Sequence, residues 1–261
     1  MTAEHKYKLT VTYDGTHYSG WQIQSNGIAI QEIIQGEVQK ITQTTTHLIG
    51  AGRTDTGVHA KGQVAHFVVK DRLDLFRFQH ALNRLLPEDI RVIAIEEVPL
   101  KFHARYSATG KIYHYHLHLD PIRDPFVRQY SWHIHHHFDV ELLRQGAQYF
   151  VGSHDFTSFA NDSLRGAASR NAVRTIYSLE VVVEEGGVRL EFKGNGFLYR
   201  MVRNITGTLV NVAIGKFQLS DIPRLFKAKD RELTGKGAPA HGLFLMEVEY
   251  ASKIIQNMEV K

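Results

Sequence analysis

The chain contains no cysteine among its 261 residues. That excludes disulfides, a thiolate nucleophile and any zinc site built on cysteine, and it suits a reducing compartment. No apolar run approaches the length needed to cross a bilayer. The opening residues Met1-Thr2-Ala3-Glu4-His5-Lys6 have no apolar core, so no secretory signal is expected there. Low-complexity stretches are missing too, and apolar and charged fractions of 43% and 22% are those of a globular chain rather than a disordered one. There is no P-loop, no dinucleotide-binding fingerprint and no Gly-x-Ser-x-Gly elbow, so nothing points to nucleotide-driven or serine-hydrolase chemistry.

What is present leans basic. The formal net charge is +4 and the isoelectric point about 9.1, a weak pull toward a polyanionic partner. Placement says more than the total. Cationic side chains sit with aromatic ones at Arg105-Tyr106, Lys111-Ile112-Tyr113, Arg123 to Tyr130 and Phe197 to Arg203. Positive charge holds phosphates, and flat rings stack on bases.

The apolar pattern divides the chain into two similar halves. Tyr7, Leu9, Val11 and Tyr13 alternate with polar residues, as in a half-buried strand. Ile30, Ile33, Ile34, Val38 and Ile41 follow helical spacing. A Leu48-Ile49 strand and a Val64 to Val69 strand follow, then a helix through Leu75, Phe78, Leu82 and Leu85 that stops before Pro87, then an Ile90 to Val98 strand. This β-α-β-β-α-β order is the split pattern of ferredoxin-like folds. The second half repeats it with additions. Strands are predicted over Lys111 to Leu119, Tyr130 to His135, Val173 to Val183 and Val188 to Phe192, the last two joined by a hairpin at Glu184-Glu185-Gly186-Gly187. Asp139 is placed to cap a helix running to Phe150, a helix is predicted from Phe197 to Ile214, Ser220 is placed to cap a short one through Leu225, and Leu243 to Tyr250 closes the sheet. The expected fold is α/β of the α+β kind: two ferredoxin-like-derived domains, 1–104 and 105–261, with mostly antiparallel sheets and an active-site cleft between them.

The densest chemical signal is Gly50-Ala51-Gly52-Arg53-Thr54-Asp55-Thr56-Gly57-Val58-His59-Ala60. One carboxylate lies among small residues, on a connection between two strands, with an arginine two positions before it. Glycines admit backbone shapes closed to other residues and let a substrate come close. A nearby positive charge favours the carboxylate form, which suits a nucleophile or a base. Asp55-Thr56-Gly57 also spells the aspartic-protease triplet. That chemistry needs two aspartates sharing a proton; only one triplet is present, and Arg53 opposes proton sharing.

The whole string resembles the signature of the TruA-type tRNA pseudouridine synthases, and the resemblance runs along nearly the full chain. Tyr13 to Gln22 is similar to the family's first loop, and Phe102-His103-Ala104-Arg105-Tyr106-Ser107-Ala108 to its inter-domain segment. Asp155 to Phe159, Met201 to Ile205 and Gly242 to Leu245 are similar to its C-terminal signatures. The resemblance implies an isomerase that turns uridine into pseudouridine at positions 38 to 40 of the tRNA anticodon arm, needing no cofactor and no metal. It implies that Asp55 and Arg203 are catalytic, with Arg203 as the partner of Asp55. Arg53 would assist base flipping, Tyr113 would stack on the target uracil, and Leu245 would pack against its other side. It also implies a cytoplasmic homodimer acting on the anticodon stem-loop, away from any membrane. Whether the aspartate adds to uracil, attacks C1′ or takes a ribose proton is left open by the sequence, as is whether the loop from Ser153 to Asn171 closes over RNA.

Two competing readings are weaker. His114, His116 and His118 alternate on one strand face, and His133, His135 and His137 on another, so adjacent strands could bring them together as a nitrogen-rich metal site for a hydrolase; no carboxylate or cysteine accompanies them at ligand spacing. A binding module without chemistry would display aromatic sheet-face signatures, which are not evident, and would have no use for the Asp55 loop.

Overall fold

In a computed structural model that describes residues 4–161 and 171–251, the first alternating run forms strand β1 (His5–Tyr13), with Tyr7, Leu9, Val11 and Tyr13 all buried. Helix α1 (Ile30–Thr42) buries Ile30, Ile34 and Val38, one position per turn, against the same core. Its N-cap residue Ala29 offers no side-chain acceptor. The first helical N–H groups are satisfied from outside instead: Ile30 N donates to Gly20 O at 3.1 Å and Gln31 N to Trp21 O at 3.0 Å. Strands β2 (Ile49–Gly50) and β3 (His59–Val69) follow, then helix α2 (Leu75–Leu85), capped by Asp74 accepting from Arg77 N, and strand β4 (Ile90–Val98). Strand β3 starts at His59, earlier than the apolar run suggests, because Ala60 already pairs with Tyr13.

The chain divides into two compact units, Met1–Thr109 with Leu245–Lys261, and Gly110–Phe244. In the first, β4, β1 and β3 pair antiparallel in that order, and β2 pairs antiparallel with β3 on its far side, the expected ferredoxin-like arrangement. The last strand, β10 (Leu243–Tyr250), also lies beside β3, and from Leu245 onward the chain belongs to this first unit.

The second unit carries strands β5 (Ala108–His118), β6 (Trp132–His133), β7 (Gly152–Asp155), β8 (Val173–Glu184) and β9 (Gly187–Gly194). The sheet order is β5, β9, β8, β7, antiparallel throughout, with β6 parallel to the end of β5. Helices α3 (Val140–Gln148), α4 (Met201–Ala213) and α5 (Asp221–Ala228) complete it. Asp139 caps α3 as expected, accepting from Glu141 N and Leu142 N.

Four local expectations change. The Tyr130 to His135 strand shrinks to two residues, because Tyr130 closes a turn onto Val127 O and His135 to His137 lie exposed outside any strand. Helix α4 begins at Met201, not Phe197: Arg200 takes a left-handed φ of 59°, and the turn before it sets Phe197 against Tyr113, ring centroids 5.2 Å apart. Ser220 makes no side-chain cap; Asp221 accepts from Gln218 N and closes the start of α5 from inside. Of the Ser153 to Asn171 loop, residues 162–170 lie outside the described residues, while 152–155 form an edge strand on β8. The predicted hairpin is present, with Glu184 opposite Gly187 and Gly186 in the left-handed region at φ 72°. No helix among the described residues is long and apolar enough to cross a membrane.

Candidate active site

Asp55 lies half-buried on the connection between β2 and β3, where the sequence places it. The connection is short and is held by its backbone. Ala51 N donates to Val64 O at 2.7 Å, and Val58 N to Asp55 O at 3.1 Å, closing a turn in which Gly57 takes φ 76°. Thr54, one residue before the carboxylate, is buried and fixed twice: Trp21 N donates to its carbonyl at 3.1 Å, and its hydroxyl shares a hydrogen bond of 2.8 Å with the Tyr13 hydroxyl. Burial pushes the Tyr13 phenol up, so it stays neutral at any physiological pH.

The segment from Asp14 to Gln22 wraps this loop, and two glycines make the wrap possible. A Cβ on Gly15 would fall 2.0 Å from Val58 O, and one on Gly20, whose φ is 87°, would fall 2.5 Å from Thr54 O. Both are impossible contacts for a side chain. These positions were legible only as part of a motif; their purpose appears when the two backbones meet. Arg53 is exposed, and its Nε donates to Gln22 Oε1 at 3.3 Å. Leu245, on β10 of the same unit, is buried.

In the second unit Tyr113 and Tyr115 lie buried on the same face of β5. Arg203, half-buried on the first turn of α4, donates from Nε to Ala238 O at 2.8 Å, and Ala238 N donates back to Arg203 O at 2.8 Å. The Tyr115 hydroxyl donates to the next carbonyl, Pro239 O, at 2.8 Å. The Ala238-Pro239 strap thus fixes Arg203 and the tyrosine strand together, and nothing in its composition announces that. Burial holds the Tyr115 phenol well above its ordinary value, while the Arg203 charge pulls the other way. So the first unit holds Asp55, Arg53 and Leu245, and the second holds Tyr113 and Arg203.

The histidines on β5 have found carboxylates across the sheet. His116 Nδ1 lies 2.7 Å from Glu184 Oε1 and His114 Nε2 lies 3.8 Å from Glu191 Oε1, with Arg189 between the two acids. His118 is buried, its Nε2 3.3 Å from Ile122 O. Spacing along the chain could not show this, because Glu191 arrives through the β5–β9 register and Glu184 from the end of β8. Among the described residues no three histidine, aspartate or glutamate side chains group to hold a metal.

A loop held by its own main chain presents one carboxylate in a fixed place, which is what a nucleophile or base requires. A family described as tRNA pseudouridine synthase matches residues 9–107 and 147–251, spans that include Arg53, Asp55, Arg203 and Leu245, with Tyr113 between them. The chain is 53% identical to tRNA pseudouridine synthase A 1 of Protochlamydia amoebophila, over 95% of this chain and 98% of that protein. It is 45% identical to tRNA pseudouridine synthase A of Ruminiclostridium cellulolyticum, over 94% and 99% of the two chains, and 43% identical to that of Bacillus pumilus, over the same shares.

Proposed function

The chain belongs to the tRNA pseudouridine synthase family, and from that premise we propose that it isomerises uridine to pseudouridine at positions 38 to 40 of the tRNA anticodon arm, with Asp55 as the reacting carboxylate. The bond from ribose C1′ to uracil N1 breaks and a bond from C1′ to C5 forms. The hydrogen on C5 leaves as a proton and N1 regains one, so atoms balance without an added reactant. The energy lies in the substrate, and the protein's task is to extract the base, offer the carboxylate and hold the detached uracil while it turns. Extraction costs a few kcal/mol of stacking and pairing and needs a group to hold the displaced nucleotide. That role falls to Arg53. Tyr113 and Leu245 are assigned to the uracil faces and Arg203 to the same chemical step. The mildly basic surface is assigned to the tRNA backbone, and the working form to a cytoplasmic homodimer.

The observation that carries this reading is the hold on the Asp55 loop: buried Thr54, fixed through its carbonyl and its hydroxyl, and two glycines that admit the 14–22 segment onto the loop backbone. A surface ion pair on a turn needs none of this. The test is release of tritium from tRNA labelled at uracil C5, with a chelator present. Joining C1′ to C5 must expel that hydrogen. Release by the wild-type chain and none by Asp55→Ala supports the reading; RNA binding without release would make the chain a binding module.

A further inference from the structure

Behind Arg53 stands a chain of two glutamines. Gln31, on the first turn of α1, is buried, and its amide meets three partners: Gln31 Nε2 donates to Leu48 O at 2.7 Å, Ile23 N donates to Gln31 Oε1 at 3.0 Å, and Gln22 Nε2 donates to the same Oε1 at 2.8 Å. Main-chain groups cannot exchange roles. The Leu48 carbonyl only accepts and the Ile23 N–H only donates, so the Gln31 amide has one permitted orientation. With Gln31 Oε1 facing Gln22, the Gln22 amide must turn its nitrogen inward and its oxygen outward. That outward oxygen accepts from Arg53 Nε. The residue before Gln22 is held through both of its main-chain groups, since Trp21 O accepts from Gln31 N and Trp21 N donates to Thr54 O.

We propose that Gln31 and Gln22 are positioning residues that aim the Arg53 guanidinium: the fixed dipole of one amide orients the next, which takes up Nε and leaves the two Nη groups for the displaced nucleotide. The inference rests on the assignment of Arg53 under the proposed function. It gives the exposed, rotamer-rich arginine a preferred geometry before RNA arrives.

The experiment is C5 tritium release with kcat and KM separated, for wild type, Gln22→Met, Arg53→Lys, Arg53→Ala and the double variant Gln22→Met with Arg53→Ala. Gln22 is half-buried, so methionine keeps the packing while removing both of its hydrogen bonds, and the melting temperature of each variant reports the fold. Gln22→Met should lower kcat/KM by about tenfold, the cost of an ill-placed binding group. Arg53→Lys, which keeps the charge but has no Nε, should show a similar loss. In the Arg53→Ala background the methionine should do nothing more, since linked residues are not additive. An equal loss in both backgrounds, or wild-type kcat/KM for Gln22→Met, overturns the proposal. Wild-type activity for Arg53→Ala would remove the assignment on which it rests, and residual turnover near wild type in Asp55→Ala would remove the proposed function itself, so each failure has its own signature.

Discussion

Two polar regions of this chain invite the same suspicion of chemistry, and they are built on opposite plans. The Asp55 loop of the first unit is secured by its main chain and by neighbours that fix Thr54. The histidine face of the second unit is secured by its side chains: His116 and Arg189 share Glu184, and His114 and Arg189 share Glu191. Where charged side chains neutralise one another, a ligand must first break an arrangement that is already satisfied. Around Asp55 the backbone does much of the holding, through the main-chain groups of Ala51, Thr54 and Val58. The richer cluster of titratable groups is therefore the poorer candidate for catalysis.

The sharpest way to break this contrast is to alter Asp55 itself. Asp55→Ala should lower turnover by at least about a thousandfold, the scale of losing a covalent or basic group, while leaving the melting temperature and RNA affinity near wild type. A large fall in stability instead would mean that the carboxylate is part of what holds the loop. The next largest effect belongs to the wrap. Gly20→Ala places a Cβ 2.5 Å from Thr54 O at a backbone φ of 87°. The segment must move, at a cost of roughly 1–3 kcal/mol. Turnover should fall about a hundredfold, since displacement of a reacting group by an ångström has that effect. Circular dichroism melts and tritium release on the same preparation check both numbers; wild-type turnover would mean the wrap is packing only.

The sequence foretold the elements better than their encounters. Alternation at Tyr7 to Tyr13 and helical spacing at Ile30 to Val38 state their own burial, and both lie where expected. The Asp55 motif was legible because its glycines and carboxylate are contiguous. The fit of Gly15 and Gly20 to Thr54 and Val58 was not, because close approach between segments 34 or more residues apart is a tertiary fact. The Ala238-Pro239 strap beneath Arg203 and Tyr115 uses only main-chain groups, which carry no sequence signal. The late start of α4 follows from one left-handed residue, Arg200, of a type that seldom takes that conformation. The acids beside His114 and His116 come from two other strands, Glu191 from β9 and Glu184 from the end of β8, through pairings that no spacing along β5 could reveal.

A buried histidine of the first unit sharpens the comparison from another side. Among the described residues, His66 on β3 has no carboxylate partner. Its Nδ1 accepts from Ala104 N at 3.1 Å, its other nitrogen serves Ile49 O, and burial, helped by the Lys6 and His103 charges, lowers its pKa to about 4. The folded chain thus prefers the neutral ring. With an ordinary value of 6.5, the stability this confers is complete above pH 6.5 and is lost as pH falls toward about 4. Urea midpoints measured from pH 7 to pH 4 should decline, and His66→Gln, whose amide can accept from Ala104 and donate to Ile49, should flatten that part of the curve. An unchanged slope in the variant would assign the acid sensitivity to other groups.

The smallest effect is expected where the charges are most numerous. Glu184 is the acid that His116 and Arg189 share, and its side chain is partly open to solvent, as are theirs. Half-exposed ion pairs contribute about 1 kcal/mol or less, because water competes for each partner and salt screens the rest. Glu184→Gln keeps the shape and one acceptor for the Arg189 guanidinium, so the loss of stability should stay below about 1 kcal/mol and shrink further in high salt. Turnover should not change, since the residue stands on a face to which no step of the isomerisation has been assigned. A marked loss of turnover with stability intact would show that the network does more than satisfy itself. The division between a side-chain-held face and a backbone-held site would then have to be redrawn, with the histidines of β5 counted among the groups that meet RNA.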